Sequence, residues 1–235
     1  MKEIIEINNL CFAYKEDTIL NKINLKINQG DFAAFIGPNG SGKSTLLKLI
    51  TGSLKPMQGQ IKLFNTPVEE FNDWAKVGYV SQKVRSFNDS FPATVREIIG
   101  ASLYRKMGFF KLLTNKLENE IDRVLDLVGM LDYKARQIGN LSGGQQQRIF
   151  IARILINQPE IILLDEPLVG LDIKAQEEFY RLLNNLSQEL DITIVMISHD
   201  IHVISNQADK IVCFKKGQVF THQAENFNYN DYFRR

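Results

Sequence analysis

The sequence predicts an α/β fold built on a parallel β-sheet. Two short apolar runs, Ile161–Leu164 and Ile192–Ile197, have the composition of strands buried on both faces, as in a parallel sheet. Apolar residues between the two runs recur at the spacing of an amphipathic helix: Ala175, Phe179, Leu182, Leu183, Leu186 and Leu190. Because strands and helices alternate, the chain is expected to have an α/β core with a parallel sheet.

The N-terminal part of the chain supplies further core elements. Loose alternation of apolar residues predicts a first strand through Ile5, Ile7, Leu10, Phe12 and Tyr14. The segments Asn24–Ile27, Phe32–Ile36 and Val77–Val80 are predicted to be strands as well. A glycine-rich turn, Gly37–Gly42, precedes a helix that is expected to run from about Lys43 to Ile50.

The middle of the chain has helical periodicity instead of strand patterning. One amphipathic helix is marked by Leu117, Ile121, Val124, Leu125 and Val128. Another helix is predicted from about Gly144 to Ile156. The stretch from about residue 84 to 158 is therefore interpreted as a helical insertion into the α/β core. No linker or low-complexity tract divides the chain, so residues 1–235 are predicted to form a single domain.

Composition narrows the class of protein. Hydrophobic residues make up 44% and charged residues 23% of the 235 residues, which is typical of a globular protein. A net charge of +1 lacks the basic excess of nucleic-acid-binding proteins, so no nucleic acid is expected as a partner. Cys11 and Cys213 form neither a disulfide framework nor a zinc site, which favours the reducing cytosol.

Hydropathy limits how the chain can meet a membrane. No apolar run approaches the roughly 20 residues that a spanning helix needs. Met1–Glu6 carries three charged residues and no apolar core, so it does not have the pattern of a signal peptide. If the protein works at a membrane, it is expected to do so as a peripheral subunit.

The strongest local signal is the segment Gly37–Ser44, whose two glycines, four intervening residues, Lys and Ser match the P-loop pattern. Glycines let the backbone curl so that its N–H groups face phosphate oxygens, and the following helix N-terminus adds positive potential. Lys43 is expected to reach the β- and γ-phosphates, and the Ser44 hydroxyl to bind Mg²⁺. The predicted nucleotide-binding residues are Gly37, Pro38, Asn39, Gly40, Ser41, Gly42, Lys43, Ser44 and Thr45.

A pair of acids follows the apolar run that ends at Leu164. Asp165 at the tip of that strand is expected to hold the Mg²⁺ shell, as in other P-loop ATPases. Glu166 comes next and can polarise the water that attacks the γ-phosphate. A surface glutamate would be the better interpretation without the preceding strand and the upstream P-loop.

The pentapeptide Leu141–Gln145, Leu-Ser-Gly-Gly-Gln, places a second anion-binding helix start in a chain that has one P-loop. With the P-loop and this pentapeptide in this order, the sequence resembles the ABC ATPases over nearly its whole length. The resemblance implies an ABC-type P-loop NTPase fold with a parallel-sheet core, an antiparallel β subdomain and an inserted helical subdomain. It also implies that the partner copy's ATP is bound by Ser142, Gly143, Gly144 and Gln145.

Further roles follow from the same resemblance. Tyr14 matches the aromatic residue that stacks on adenine, although a lone tyrosine in a strand would by itself favour a core position. Gln82 matches the glutamine that contacts Mg²⁺ and the membrane partner. His199 matches the histidine that contacts the γ-phosphate, and Gly170–Asp172 resembles the loop called the D-loop. Leu168 departs from the family, which often has a small polar residue there.

The family resemblance also implies the assembly. Two copies are expected to form an ATP-dependent head-to-tail homodimer on the cytoplasmic face of the cell membrane, bound to a permease that works with an extracytoplasmic metal-binding receptor. Close apolar residues after Gln82, namely Phe87, Phe91, Pro92 and Val95, are predicted to dock the permease, although Val95 alone is better explained by packing.

The cargo is narrowed by resemblance alone. The segments Ser86–Glu97 and Leu103–Phe110 are similar to ATPases of zinc and manganese uptake, with zinc favoured, then manganese or iron. Two alternatives remain open at this point. One is an importer ATPase for iron-siderophore or cobalamin, and the other is a non-transport ABC ATPase such as one in iron–sulfur assembly.

Overall fold

The fold was obtained as a computed structural model, which describes residues 2–81, 92–104, 106–107, 113–198 and 207–227. The strands are β1 (Glu3–Tyr14), β2 (Asp17–Asn28), β3 (Phe32–Ile36), β4 (Gln58–Leu63), β5 (Thr66–Pro67), β6 (Val77–Val80), β7 (Ile161–Asp165), β8 (Thr193–Ile197), β9 (Lys210–Lys215) and β10 (Gln218–Gln223). The helices are α1 (Lys43–Ile50), α2 (Val95–Ala101), α3 (Asn115–Leu127), α4 (Gly143–Leu155) and α5 (Ile173–Leu190).

The larger sheet carries the predicted parallel core. Its strand order is β10-β9-β3-β8-β7-β6, with β9 through β6 parallel and β10 added as an antiparallel hairpin partner of β9. Strands β3, β7 and β8 are buried at every residue, as their continuous apolar runs predict. The α/β fold class is confirmed, and β6 lies at one edge of this sheet.

A smaller antiparallel sheet packs beside the parallel one, in the order β2-β1-β4-β5. Buried residues of this sheet and of α1 meet one face of the larger sheet through alternate core residues such as Phe35, Leu163 and Val195. Helices α2 to α5 cover the opposite face, where Ala34, Leu164 and other neighbours are buried. The larger sheet is therefore a central layer with an apolar core on each face.

Helices α2, α3 and α4 lie between β6 and β7 in the chain, as the predicted helical insertion requires. Threonine side chains cap the first two, because the Thr94 and Thr114 hydroxyls accept hydrogen bonds from backbone N–H groups of the first turn. Glu118 on α3 pairs with both Arg96 on α2 and Lys134 beyond α3. Among the described residues, no helix has both the length and the apolar composition to cross a membrane.

Most predicted element positions agree with the structure, and the differences have local causes. The strand predicted over Asn24–Ile27 extends over all of β2, because β2 pairs with β1 from Tyr14↔Asp17 to Glu3↔Asn28. Backbone pairing with β1 recruits the first half of β2, where Ile19 and Leu20 are adjacent and so give no alternating apolar pattern. Helix α5 begins before Ala175 because the Asp172 carboxylate accepts a hydrogen bond from the Ala175 N–H at 2.9 Å.

Candidate nucleotide site

The predicted P-loop joins the end of β3 to the start of α1, and its backbone requires glycine. Gly37 has φ 150° and packs so closely that a Cβ there would lie 2.6 Å from the Phe214 carbonyl oxygen. Gly42 has φ 101°, and a Cβ there would lie 2.8 Å from the Leu20 side chain. Both positions are left-handed or crowded in ways that only glycine accepts without strain.

Lys43 is the first residue of α1, and its side chain folds back onto the backbone of the P-loop. Its ammonium donates hydrogen bonds to the Gly37 and Pro38 carbonyl oxygens, each at 2.8 Å. The side chain is only 5% exposed. Burial lowers the pKa of Lys43, and the nearby carboxylates of Glu166 and Asp165 partly oppose that shift. A buried cation held by weak carbonyl partners is suited to bind an incoming phosphate.

The Asp165 carboxylate at the end of β7 has a hydroxyl partner on α1. The Ser44 hydroxyl donates to Asp165 Oδ1 at 2.9 Å. Burial first, then the nearby negative charge of Asp165, raises the pKa of Tyr79 on β6 to about 12, so this phenol is neutral at pH 7.

Glu166 follows directly and has φ 51°, an uncommon left-handed conformation for a residue other than glycine. A cavity of 430 Å³ lies between this glutamate, the P-loop and the end of β1. Its lining consists of Tyr14, Ile19, Asn39, Gly40, Ser41, Gly42, Lys43, Ser44, Thr45 and Glu166. The structure thus brings most of the predicted nucleotide-site residues to one cavity.

Tyr14 at the end of β1 and Ile19 on β2 also line this cavity. Tyr14 is 43% exposed, so it is not the strand-core residue that a lone tyrosine would favour. Ile19 was missed by sequence analysis, although its side chain comes within 3.0 Å of a Cβ built on Gly42. Its position on β2 was hidden because the first half of that strand has no alternating apolar pattern.

The Leu141–Gln145 pentapeptide lies elsewhere and contributes nothing to the lining of the cavity. Ser142 is the N-cap of α4 and forms a capping box, in which the Ser142 N–H donates to Gln145 Oε1 at 3.0 Å. Ser142 and Gly143 are exposed. A Cβ on Gly144 would lie 3.1 Å from Ala175 Cβ, so this helix start also packs tightly on α5.

Several other residues singled out from the sequence lie outside the nucleotide cavity or outside the described residues. Gln82 and His199 lie outside the described residues, as do Phe87 and Phe91, so their assigned roles stay predictions. Pro92 is exposed and Val95 is fully buried. Leu168, the departure from the family pattern, is 7% exposed and joins the core under α5.

A second cavity, here called the edge groove, was not anticipated from the sequence. It has a volume of 310 Å³ and lies along β6 between this edge strand and α4. Its apolar lining includes Trp74, Val77, Tyr79, Val80, Phe150 and Ile154. Arg153 of α4 also lines it and is exposed.

The chain is similar in sequence to known proteins. A family profile described as ABC transporter matches residues 20–169. The chain is 44% identical over 229 residues to the zinc uptake system ATP-binding protein ZurA of Listeria monocytogenes, covering 97% of this chain and 89% of that protein. It is 35% identical over 215 residues to the high-affinity zinc uptake system ATP-binding protein ZnuC of Bacillus subtilis, covering 92% of each.

Solved structures of ABC transporter proteins also have a similar fold. A metal-chelate type ABC transporter in an inward-facing conformation superposes with a TM-score of 0.84 at 28% identity, over 98% of this chain and 87% of that chain. The ATP-binding cassette MJ0796, a dimer in a post-hydrolysis state bound to ADP and phosphate, superposes with a TM-score of 0.78 at 29% identity, over 95% and 100%.

Proposed function

The chain belongs to the ABC transporter family, and we propose that it is the ATP-hydrolysing subunit of a zinc uptake transporter. The observation that carries the proposal is 44% identity to a zinc uptake ATP-binding protein over 97% of the chain. The cavity between the P-loop and Glu166 supplies a matching ATP site. The family profile and the metal-chelate transporter also support transport, with a lower identity of 28% for the latter.

In this proposal ATP binds the cavity with its phosphates on the P-loop. The Lys43 ammonium exchanges its two carbonyl partners for phosphate oxygens, which are stronger partners because they are charged. Tyr14, an exposed residue of the cavity lining, stacks on adenine. Glu166 orients and deprotonates the attacking water, and His199 contacts the γ-phosphate.

Magnesium fits the donors that the structure brings together. The Ser44 hydroxyl and the Asp165 carboxylate, 2.9 Å apart, are hard oxygen ligands of the kind that Mg²⁺ prefers. Gln82 is assigned to the same shell from the sequence. When bound, the ion neutralises charge on the phosphate oxygens, while Ser44 and Asp165 fix its place beside the P-loop.

The exposed helix start at Ser142 supports a site shared between two copies. Ser142, Gly143, Gly144 and Gln145 have no part in the cavity of their own chain, yet an anion is favoured at their N–H groups. We therefore assign them to the ATP of a second copy in a head-to-tail homodimer. The dimeric cassette at 29% identity supports this arrangement.

The edge groove is assigned to the permease. Its apolar walls and the exposed Arg153 suit a short helix of a membrane subunit, with ATP-site events passed on through Gln82 and the segment after it. The protein would then lie on the cytoplasmic face of the membrane, with the metal-binding receptor reached through the permease. Residues 1–235 are proposed to form one domain, with a helical subdomain at about 84–158.

The permease assignment is tested by charge reversal at two exposed arginines. Arg153→Glu should abolish co-purification of the permease and leave ATP binding by the isolated protein unchanged. Arg123→Glu, on α3 and outside the groove, is the matched control and should retain assembly. Equal co-purification with both variants would place the docking surface elsewhere.

The cargo is tested in cells that lack the gene. Growth should fail under zinc chelation and recover on addition of zinc or of the intact gene. A gene carrying Glu166→Gln should not restore growth. Recovery by iron-siderophore or cobalamin instead would replace the cargo and keep the transporter. Zinc-independent growth together with failed iron–sulfur enzymes would favour the non-transport alternative.

A further inference from the structure

The adenine side of the proposed ATP site contains a ring contact that the family resemblance does not assign. Phe12 and Tyr14 lie two residues apart on β1, so their side chains project from the same face of the strand. Their ring centroids are 4.9 Å apart and their planes meet at 87°, which makes them an edge-to-face pair. Aromatic side chains favour this arrangement at this separation. The Tyr14 ring therefore has a defined partner within its own strand.

The two rings have different surroundings. Phe12 is 7% exposed and belongs to the apolar core under the antiparallel sheet. Tyr14 is 43% exposed and lines the nucleotide cavity, whereas Phe12 is not part of that lining. Phe12 is thus fixed by core packing, and its ring can restrain a second ring that is nearly half open to solvent.

Strand β2 joins this ring pair to the P-loop. Leu20 is the residue opposite Phe12, and the next pair along the two strands skips Ile19. A register irregularity of this kind re-aims side chains. A Cβ built on Gly42 would lie 2.8 Å from the Leu20 side chain and 3.0 Å from that of Ile19, so both of these adjacent residues approach the loop. The cross-strand partner of Phe12 therefore packs directly on the phosphate-binding turn.

We propose that Phe12 is a positioning residue for nucleotide binding, whose buried ring holds the Tyr14 ring in the orientation that stacks on adenine. The inference rests on the proposed ATP site, because it takes Tyr14 as the residue that stacks on the base. A ring that is free to rotate lowers the fraction of the protein that is competent to bind the base. The phosphates are assigned to Lys43 and the P-loop, so the effect should be confined to ligands that carry the base.

Phe12→Leu removes the ring and keeps a buried apolar side chain. Isothermal titration calorimetry measures the affinity of the purified protein for ATP and for inorganic triphosphate, which lacks the base, both with Mg²⁺. ATP should bind about threefold to tenfold more weakly, which is the size of the edge-to-face contact that is lost. Triphosphate affinity should match that of the parent. Phe12→Met, which fills the space with a flexible side chain, should give the same pattern.

Phe71→Leu is the matched control. Phe71 is also 7% exposed and packs edge to face on Trp74, with ring centroids 5.1 Å apart and planes at 89°. Neither of these two residues lines the nucleotide cavity. The control should therefore bind both ligands as the parent does. Unchanged ATP affinity in Phe12→Leu would overturn the proposal. A parallel loss of triphosphate affinity in Phe12→Leu would overturn it too, because the defect would then be general packing.

Tyr14→Ala, alone and combined with Phe12→Leu, distinguishes failure of this inference from failure of the proposed site. If Phe12 acts through Tyr14, the double variant should bind ATP no more weakly than Tyr14→Ala alone. Additive losses would overturn the positioning role and leave the ATP site in place. If Tyr14→Ala leaves ATP affinity intact, the adenine assignment is wrong, and the Phe12 proposal falls with it. If the parent binds neither ligand, the proposed ATP site itself is wrong.

Discussion

The P-loop and the Ser142–Gln145 segment are both helix N-termini rich in serine and glycine. Only the P-loop lies in a cavity with other predicted ATP-site residues of the same chain. On the P-loop side, Lys43 is 5% exposed and lines one cavity together with Glu166 and Tyr14. At the other helix start, Ser142 and Gly143 are exposed, and neither residue lines that cavity.

This contrast identifies which half-site the chain supplies for itself. On the P-loop side, one copy brings together the Lys43 ammonium, held on the loop carbonyls, and the Ser44 hydroxyl, bonded to the Asp165 carboxylate. The Ser142 side has an anion-binding helix end and no counterpart in its own chain. Changes on the P-loop side should therefore act on one copy, whereas changes at Ser142 should act only when two copies meet.

The largest effect is expected at Glu166, on the self-contained side. Glu166→Gln keeps the size of the side chain and removes the base, so hydrolysis should fall by about 10²–10⁴-fold. ATP binding should remain, and ATP should then trap a dimer. Steady-state ATPase assays and sedimentation with ATP measure both outcomes. Near-normal turnover would show that another group activates the water.

Lys43→Ala and Ser142→Arg compare the two half-sites directly. Lys43→Ala should weaken ATP binding by a single copy about 10–100-fold, because charge-assisted hydrogen bonds to phosphate are lost. Ser142→Arg should leave that binding intact and abolish hydrolysis. Equilibrium dialysis with dilute protein checks the first statement, and ATPase assays the second.

A mixture of these two variants tests the shared site further. A heterodimer combines Ser142 of the Lys43→Ala copy with Lys43 of the Ser142→Arg copy, which leaves one intact composite site. Some hydrolysis should therefore return on mixing. If Ser142→Arg also abolishes ATP binding by single copies, the site is self-contained and the head-to-tail arrangement is wrong.

Around the P-loop, buried strands were predictable from their apolar runs. Strands whose extent is set by backbone pairing with a neighbour were harder to predict. Ile161–Asp165 was found because five buried residues leave a continuous apolar run with an acid at the tip. Ile19 was missed because the first half of β2 is recruited by pairing with β1, and its adjacent Ile19 and Leu20 do not alternate with polar residues. The edge groove depends on how α4 crosses β6, which no local pattern specifies.

The candidate site shows the same division. The P-loop residues were predictable because they are consecutive in the sequence and form one turn, so a local pattern identifies all of them. The approach of Ile19 on β2 to Gly42 in the P-loop joins residues apart in sequence, so it needed the packing of β2 on the loop to be known. The family resemblance predicted that Ser142 would lie away from the ATP cavity of its own chain. The geometry of one copy does not by itself identify a second copy as its partner.

A pair of glycine substitutions tests how rigid the P-loop is. Gly40→Ala changes a residue at φ 74° with open space around its Cβ, so it should cost only about 1 kcal/mol of stability. Gly37→Ala adds a clash at 2.6 Å with the Phe214 carbonyl, which should cost about 1–3 kcal/mol more. Urea unfolding compares the two variants. Equal stabilities would mean that the loop can move away from β9.

The smallest effect is expected at the exposed helix start, where capping and ligand binding by Ser142 can be separated. Ser142 accepts a hydrogen bond from the Gln145 N–H at 3.3 Å, and Thr94 accepts one from the Glu97 N–H at 3.2 Å, so both are N-caps in capping boxes. Ser142→Ala and Thr94→Ala should each cost about 1 kcal/mol of stability. That lowers the unfolding temperature by about 2–4 °C in a chain of this size.

The two cap variants should differ in dimerisation, because only Ser142 is assigned to a nucleotide held by another copy. In a Glu166→Gln background, sedimentation at increasing ATP should show weaker dimerisation for Ser142→Ala and parent behaviour for Thr94→Ala. Since Thr94→Ala carries the same loss of capping, any excess defect in Ser142→Ala belongs to the contact across the dimer. Identical dimerisation curves would reduce Ser142 to a helix cap and leave the anion-binding role to the N–H groups of Gly143, Gly144 and Gln145.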